Sequence, residues 1–107
     1  VSDIFGEDLT EAESEERAAL WELAEHTDNI EVLDKLAVSP YVEVREAVAY
    51  NCNTPVSTLT FLLNDKSWEV RQTAVLNPNT PMSHIEKLPA DENEFVLDAV
   101  LRRKNNA

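Results

Sequence analysis

The chain of 107 residues carries one thiol, Cys52, and two imidazoles, His26 and His84. Those three side chains are its candidates for nucleophilic or metal chemistry. A thiol attacks well when a neighbouring base or charge favours the thiolate. A zinc centre needs three or four N, S or O ligands at about 2.0–2.3 Å. A single cysteine excludes an intrachain disulfide and any cysteine-rich zinc or iron–sulfur cage, and it suits a reducing compartment. Phosphate chemistry has no foothold, because the one glycine is Gly6 and no Gly-Lys-Ser or Gly-Lys-Thr loop occurs. No cofactor or metal is expected, and the chain reads as a non-enzyme.

Carboxylates are the abundant functional group: 21 Asp and Glu against 9 Lys and Arg, a net charge of −12. Their placement is uneven. Residues 1–43 hold 13 acids against Arg17 and Lys35, whereas residues 44–107 are almost neutral. Such a field repels phosphate backbones and anionic lipid and speeds encounter with a basic partner. Direct nucleic-acid binding and membrane binding are therefore not expected. Asp3, Glu7 and Asp8 stand where a secretory leader would be basic, and no run of about 18 apolar residues exists, so the expected location is the cytoplasm.

What positions these groups is a repeat. Val44-Arg45-Glu46-Ala47-Val48-Ala49-Tyr50-Asn51-Cys52-Asn53-Thr54-Pro55 realigns at a shift of 26 with Val70-Arg71-Gln72-Thr73-Ala74-Val75-Leu76-Asn77-Pro78-Asn79-Thr80-Pro81. The match continues through Ser57/Ser83, Leu62/Leu88 and Asp65/Asp91. Residues 44–65 and 70–91 share 9 identities in 22 positions, where unrelated segments would share roughly one or two. A fainter copy precedes them, with Ile30, Leu33 and Leu36 in the columns of Val56, Leu59 and Leu62. Another begins at Val96, where Leu97 replaces the arginine and Arg103-Lys104-Asn105-Asn106 replaces Asn-x-Asn-Thr.

Each copy parses into two helical pieces. Val44, Ala47 and Val48, like Val70, Thr73 and Ala74, lie at i, i+3, i+4 and form a narrow stripe of small apolar residues. Ser39, Asp65 and Asp91 precede these helices as N-terminal caps, with Pro40 at a first helical position. In the turn, Asn51 or Asn77 is expected in a left-handed helix end, Thr54 or Thr80 caps the next piece, and Pro55 or Pro81 opens it. That second piece is a mixture of short α and 3₁₀ helix. Upstream, Thr10-Glu11-Ala12-Glu13 has the capping-box pattern and opens a helix to about Glu25 that buries Leu20, Leu23 and Ala24.

The pattern Val-Arg-x-x-Val/Ala-x-x-Asn-x-Asn-Thr-Pro-x-x-x-Leu-x-x-Leu followed by Asp resembles the leucine-rich repeat variant family. The resemblance is clear over residues 44–91, thinner over 18–43, and fades after Val96. It implies repeats that alternate an α-helix with a 3₁₀ helix in a right-handed superhelix, used as a scaffold for interactions. Some members carry an iron–sulfur module, which needs a cysteine cluster that this chain lacks. A more distant likeness to HEAT repeats lies in Asp65 and Arg71, six residues apart, as a pair that bridges successive repeats.

The expected fold is therefore all-α: a short right-handed α-solenoid of about three 26-residue repeats forming one domain over residues 1–107. Residues 1–17 form the acidic N-terminal cap, 18–43, 44–69 and 70–95 the repeats, and 96–107 a partial repeat. The same register separates the reactive side chains. His26, Cys52 and Pro78 share one column, so His26 and Cys52 sit about 8–10 Å apart in adjacent repeats, too far to share a metal. Arg45 and Arg71 read as partners of Asp65, Glu46 or Glu69 rather than as an anion stripe.

Function is expected in binding. Trp21, Tyr41, Tyr50, Phe61 and Trp68 fall in the repeat region, where some pack between layers and an exposed one would anchor a partner. The candidate partner-binding residues are Glu11, Glu15, Glu22, Tyr50 and Trp68, on a protein-interaction module that receives a basic or mixed-charge protein. One alternative is a nucleic-acid mimic, motivated by Glu7, Asp8, Glu11, Glu13, Glu15 and Glu16. A second is a structural segment of a larger protein, in which the apolar end around Phe95, Leu97 and Val100 self-associates.

Overall fold

The computed structural model describes residues 11–106, and every structural statement below concerns these. Thr10 of the expected capping box, and Glu7 and Asp8, lie outside them. Seven α-helices follow one another with no strand among the described residues: α1 (Glu11–His26), α2 (Ile30–Leu36), α3 (Val42–Tyr50), α4 (Val56–Leu62), α5 (Trp68–Leu76), α6 (Met82–Glu86) and α7 (Glu94–Asn105). Long and short helices alternate. The long ones pack in chain order, α1 on α3, α3 on α5 and α5 on α7, and the short ones fill the angles between them.

The apolar stripe expected on α3 is buried, and on α5 Val70 and Ala74 are buried while Thr73 is only half-buried; both stripes are wider than i, i+3, i+4. Val44, Ala47 and Val48 face the neighbouring long helices, and Ala49 is also fully buried, as is Val75 in its column of α5. A helix with a long neighbour on each side and a short helix behind it must present more than one apolar side. Helix α1 has a long neighbour on one side only. Ala24 is therefore its one buried residue, Leu20 is half-buried, and Leu23, expected in the core, is exposed.

The second pieces are α-helical, not a mixture with 3₁₀ helix. Their ends alone tighten: in the turn after α2, Val38 and Ser39 donate to the carbonyls of Lys35 and Leu36, three residues back.

The turn residues are present as read, with different tasks. Asn51 and Asn77 are extended, with φ of −64° and −65°, rather than left-handed. Their side chains instead reach back to the preceding layer. Asn51 Nδ2 donates to the carbonyls of Ala24 and Thr27 at 2.8 Å, and Asn77 Nδ2 to those of Ala49 at 2.8 Å and Asn51 at 3.1 Å. Each Oδ1 accepts the N–H two residues on, from Asn53 and Asn79. A helix end exposes carbonyls without intrahelical partners, and here the next layer's asparagine supplies the donors. Arg103 stands in this column in the last layer. It donates to Val75, Asn77 and Thr80 carbonyls at 2.6 to 2.8 Å.

Thr54 and Thr80 do not cap the following helix. Each hydroxyl donates at 2.6 Å to a carbonyl of the helix before it, Val48 or Ala74, while Pro55 and Pro81 occupy the cap position of the helix after. Ser39, Asp65 and Asp91 accept from the N–H groups of Tyr41, Ser67 and Asn93, the N-cap residues themselves, not from first-turn donors. Pro40 accordingly lies outside α3, ahead of its cap residue Tyr41.

Of the expected ion pairs, Arg45 with Asp65 forms, whereas the six-residue bridge from Asp65 to Arg71 does not form between their side chains. Arg45 forms a two-pronged contact with Asp65, twenty residues on, at 2.9 and 3.3 Å, and Arg71 repeats it with Asp91 at 2.8 and 3.1 Å. Arg71 touches Asp65 through that residue's backbone carbonyl. Glu46 and Glu69 pair with neither arginine. The Arg45 and Asp65 side chains are each 6% exposed, so the charges are removed from water together and their polar atoms satisfied together. In the copy before, Ala19 and Ser39 replace both members, and the pair is absent as a unit.

Candidate functional site

Helix α3 carries two sets of residues. Val44 and Val48 point to the core, and Glu43, Glu46 and Tyr50, at i, i+3 and i+7, run along another side. Because α1 and α5 flank α3, that side becomes the floor of a groove. Trp21 and Glu25 of α1, Glu43, Glu46, Ala47 and Tyr50 of α3, and Thr73 of α5 line about 400 Å³ of it. It continues past Arg17 and Ala18 at one end, and past Leu76, Asn77 and Pro78 at the other.

The groove is negative and has two exposed aromatic walls. Glu25, Glu43 and Glu46 line it, and Glu69 lies near enough to Glu46 to act on its ionisation. Burial first, and then the charges of Glu69 and Glu43, push the Glu46 carboxyl above its ordinary value of 4.5. Thr73 gives it weak relief. Its hydroxyl lies 3.5 Å from Glu46 but 2.9 Å from the Glu69 carbonyl, and a hydroxyl has one proton to donate. Arg17 is the cation at the groove, 3.4 Å from Glu43, with both side chains substantially solvated. Trp21 is 42% and Tyr50 71% exposed.

An arrangement of this kind can hold an ammonium or guanidinium group. The carboxylates supply acceptors for its N–H donors, and the aromatic faces take the aliphatic stem and the diffuse charge. A cation over an exposed aromatic contributes about 0.5–1 kcal/mol, and more where water is excluded.

The residues singled out from the sequence divide between this groove and other places. Tyr50 stands in it. Glu11, Glu15 and Glu22 fall within about 40° of one another around α1, all exposed, on the side facing away from α3. Glu16 turns instead toward Tyr41. Burial, and then Glu16 and Glu13, raise that phenol above its ordinary value. Trp68 begins α5, half-buried against the core and stacked on Phe95 with ring centroids 5.1 Å apart. Trp21, one of the aromatics considered as an anchor, also stands in the groove, whereas Glu25, Glu43, Glu46 and Thr73 were not among the expected site residues. The spacing of Glu43, Glu46 and Tyr50 was the signal that could have found the floor.

Cys52 is exposed, and His26 lies 3.7 Å from Glu25. Among the described residues no three His, Cys, Asp or Glu side chains converge as a metal site would require, and no helix is long and apolar enough to cross a membrane. No family model, curated protein or solved structure matches this chain.

Proposed function

We propose that this chain is a protein-binding module without catalytic activity that receives a basic segment of another polypeptide in the groove between Trp21 and Tyr50. Its architecture on this reading is a short right-handed α-solenoid of about three 26-residue repeats, with residues 1–17 as its N-terminal cap, the later turns of α1 opening the first repeat, and α7 as a C-terminal half repeat. The 26-residue period of the sequence supports that architecture, as do the side-chain bonds that recur between successive layers. An array of this kind exposes one continuous face rather than a deep pocket.

One observation carries the functional reading: the groove crosses three successive long helices and gathers several carboxylates and two exposed aromatics around a single arginine. A polypeptide laid across it meets Glu25 of α1 and Glu43 and Glu46 of α3. A nucleic acid meets like charge, so direct nucleic-acid binding is disfavoured. Mimicry of a nucleic acid has weaker support, because the carboxylates of α1 divide between the outward row of Glu11, Glu15 and Glu22 and the side facing Tyr41.

Calorimetric titration with a Lys/Arg-rich peptide tests the proposal. Binding weakens tenfold or more between about 50 and 300 mM salt, and Glu43→Gln/Glu46→Gln lowers affinity by about 5- to 30-fold, from two contacts of ~0.5–1 kcal/mol each. Equal binding of an uncharged peptide, or an affinity indifferent to these substitutions, overturns it.

A further inference from the structure

Helix α7 is the last in the packing order. It meets α5 and α6 on one side through Val96, Ala99, Val100 and Arg103. The opposite side, at 100° per residue, carries Glu94, Leu97, Asp98, Leu101 and Asn105. No described element covers it, and Leu97 and Leu101, one turn apart, are 38% and 56% exposed.

We infer that this face pairs with the same face of a second copy of the chain, two helices α7 lying antiparallel about a two-fold axis. The order of charges selects that arrangement. Glu94 and Asp98 lie in the first half of the helix, and Arg102, which pairs with Asp98 within the helix at 2.9 Å, and Lys104 flank the face in the second. Antiparallel pairing therefore sets the acidic half of each helix beside the basic half of the other, twice over, with Leu97 and Leu101 between them. A parallel partner would put like charges side by side. The outward row of α1 is a poorer partner, because Ala18 is the sole apolar residue among its glutamates. An isologous contact closes after two copies. A 12-residue helix is about 18 Å long, so the buried area is small and the dimer weak.

Sedimentation equilibrium from about 10 µM to 1 mM resolves such a weak dimer. The expected mass rises toward twice the 12.1 kDa of the chain and stops there. Glu94→Lys/Asp98→Lys and Arg102→Glu/Lys104→Glu are each monomeric alone, and an equimolar mixture of the two recovers the dimer. Leu101→Asn abolishes association while circular dichroism and Tm stay unchanged, and groove substitutions leave association intact. A monomer at every concentration overturns the inference. So does growth past two copies, which marks end-to-end contacts, or a mixture that stays monomeric.

Discussion

Asn77→Ala should be among the most damaging small-residue substitutions in the chain, although it removes only an amide. The residue is 4% exposed and its side chain holds three bonds. It donates to the Ala49 and Asn51 carbonyls, and it accepts from the Asn79 N–H at 2.9 Å. Alanine leaves two carbonyls at the end of α3 and one amide of the turn without these partners. At about 1 kcal/mol for each bond, and more for any group kept from water, the loss is ~2–4 kcal/mol. For a domain of this size that corresponds to a fall in Tm of roughly 10–25 °C. Asn77→Asp should cost more, since a buried carboxylate would face two carbonyl oxygens. Asn79→Ala is the internal control. Its side chain also bonds the preceding layer, to the Cys52 carbonyl, but it is exposed and water can replace it, so the cost is about 1 kcal/mol or less. Urea unfolding followed at 222 nm measures all three, compared at constant m-value. A loss below about 1 kcal/mol for Asn77→Ala, or equal losses for Asn77→Ala and Asn79→Ala, would refute the claim that this amide holds the layers together.

Asp65→Ala should cost about 3–5 kcal/mol in the same assay because Arg45 stays buried without its carboxylate, whereas the Arg45→Met/Asp65→Leu double variant should recover most of that loss. The Arg71 hydrogen bonds hold Asp91 below its ordinary 3.8, so its contribution is present above about pH 4 and is lost as pH falls through the folded-state value. Asp91→Asn is therefore less stable than the parent at neutral pH, and the gap in Tm closes toward pH 3. Glu46 has the opposite sign: raised first by burial and then by Glu69, it favours the fold when protonated, and that contribution is lost as pH rises through its raised value. Glu46→Gln should raise Tm at pH 7, match the parent below about pH 4, and weaken binding of a basic peptide.

The repeat was legible because identical residues recur at a fixed distance, and the all-helical class followed from the spacing of Val44, Ala47 and Val48. What a column does was harder to read. Asn51 and Asn77 suggest a local task, a left-handed helix end, because sequence shows neighbours along the chain. Their actual acceptors lie in another layer, which is also why Arg103 can stand in for an asparagine with different chemistry but the same reach. Asp65 likewise invites pairing with Arg71 six residues on, whereas packing brings it to Arg45, twenty residues back. In the groove, Glu43, Glu46 and Tyr50 share a side of α3 by periodicity alone. The approach of Trp21 and Glu25 depends on how α1 lies across that helix, and no spacing within either segment encodes it.

The central claim is that the groove, rather than the outward glutamates of α1, selects the partner. Mapping amide chemical-shift changes while a Lys/Arg-rich peptide is titrated in at low salt tests this most directly. The largest changes are expected on Trp21, Glu25, Glu43, Ala47, Tyr50 and Thr73, and in Glu43→Gln/Glu46→Gln they should need about 5- to 30-fold more peptide to appear. Changes centred on Glu11, Glu15 and Glu22, or none at saturating peptide, would contradict it.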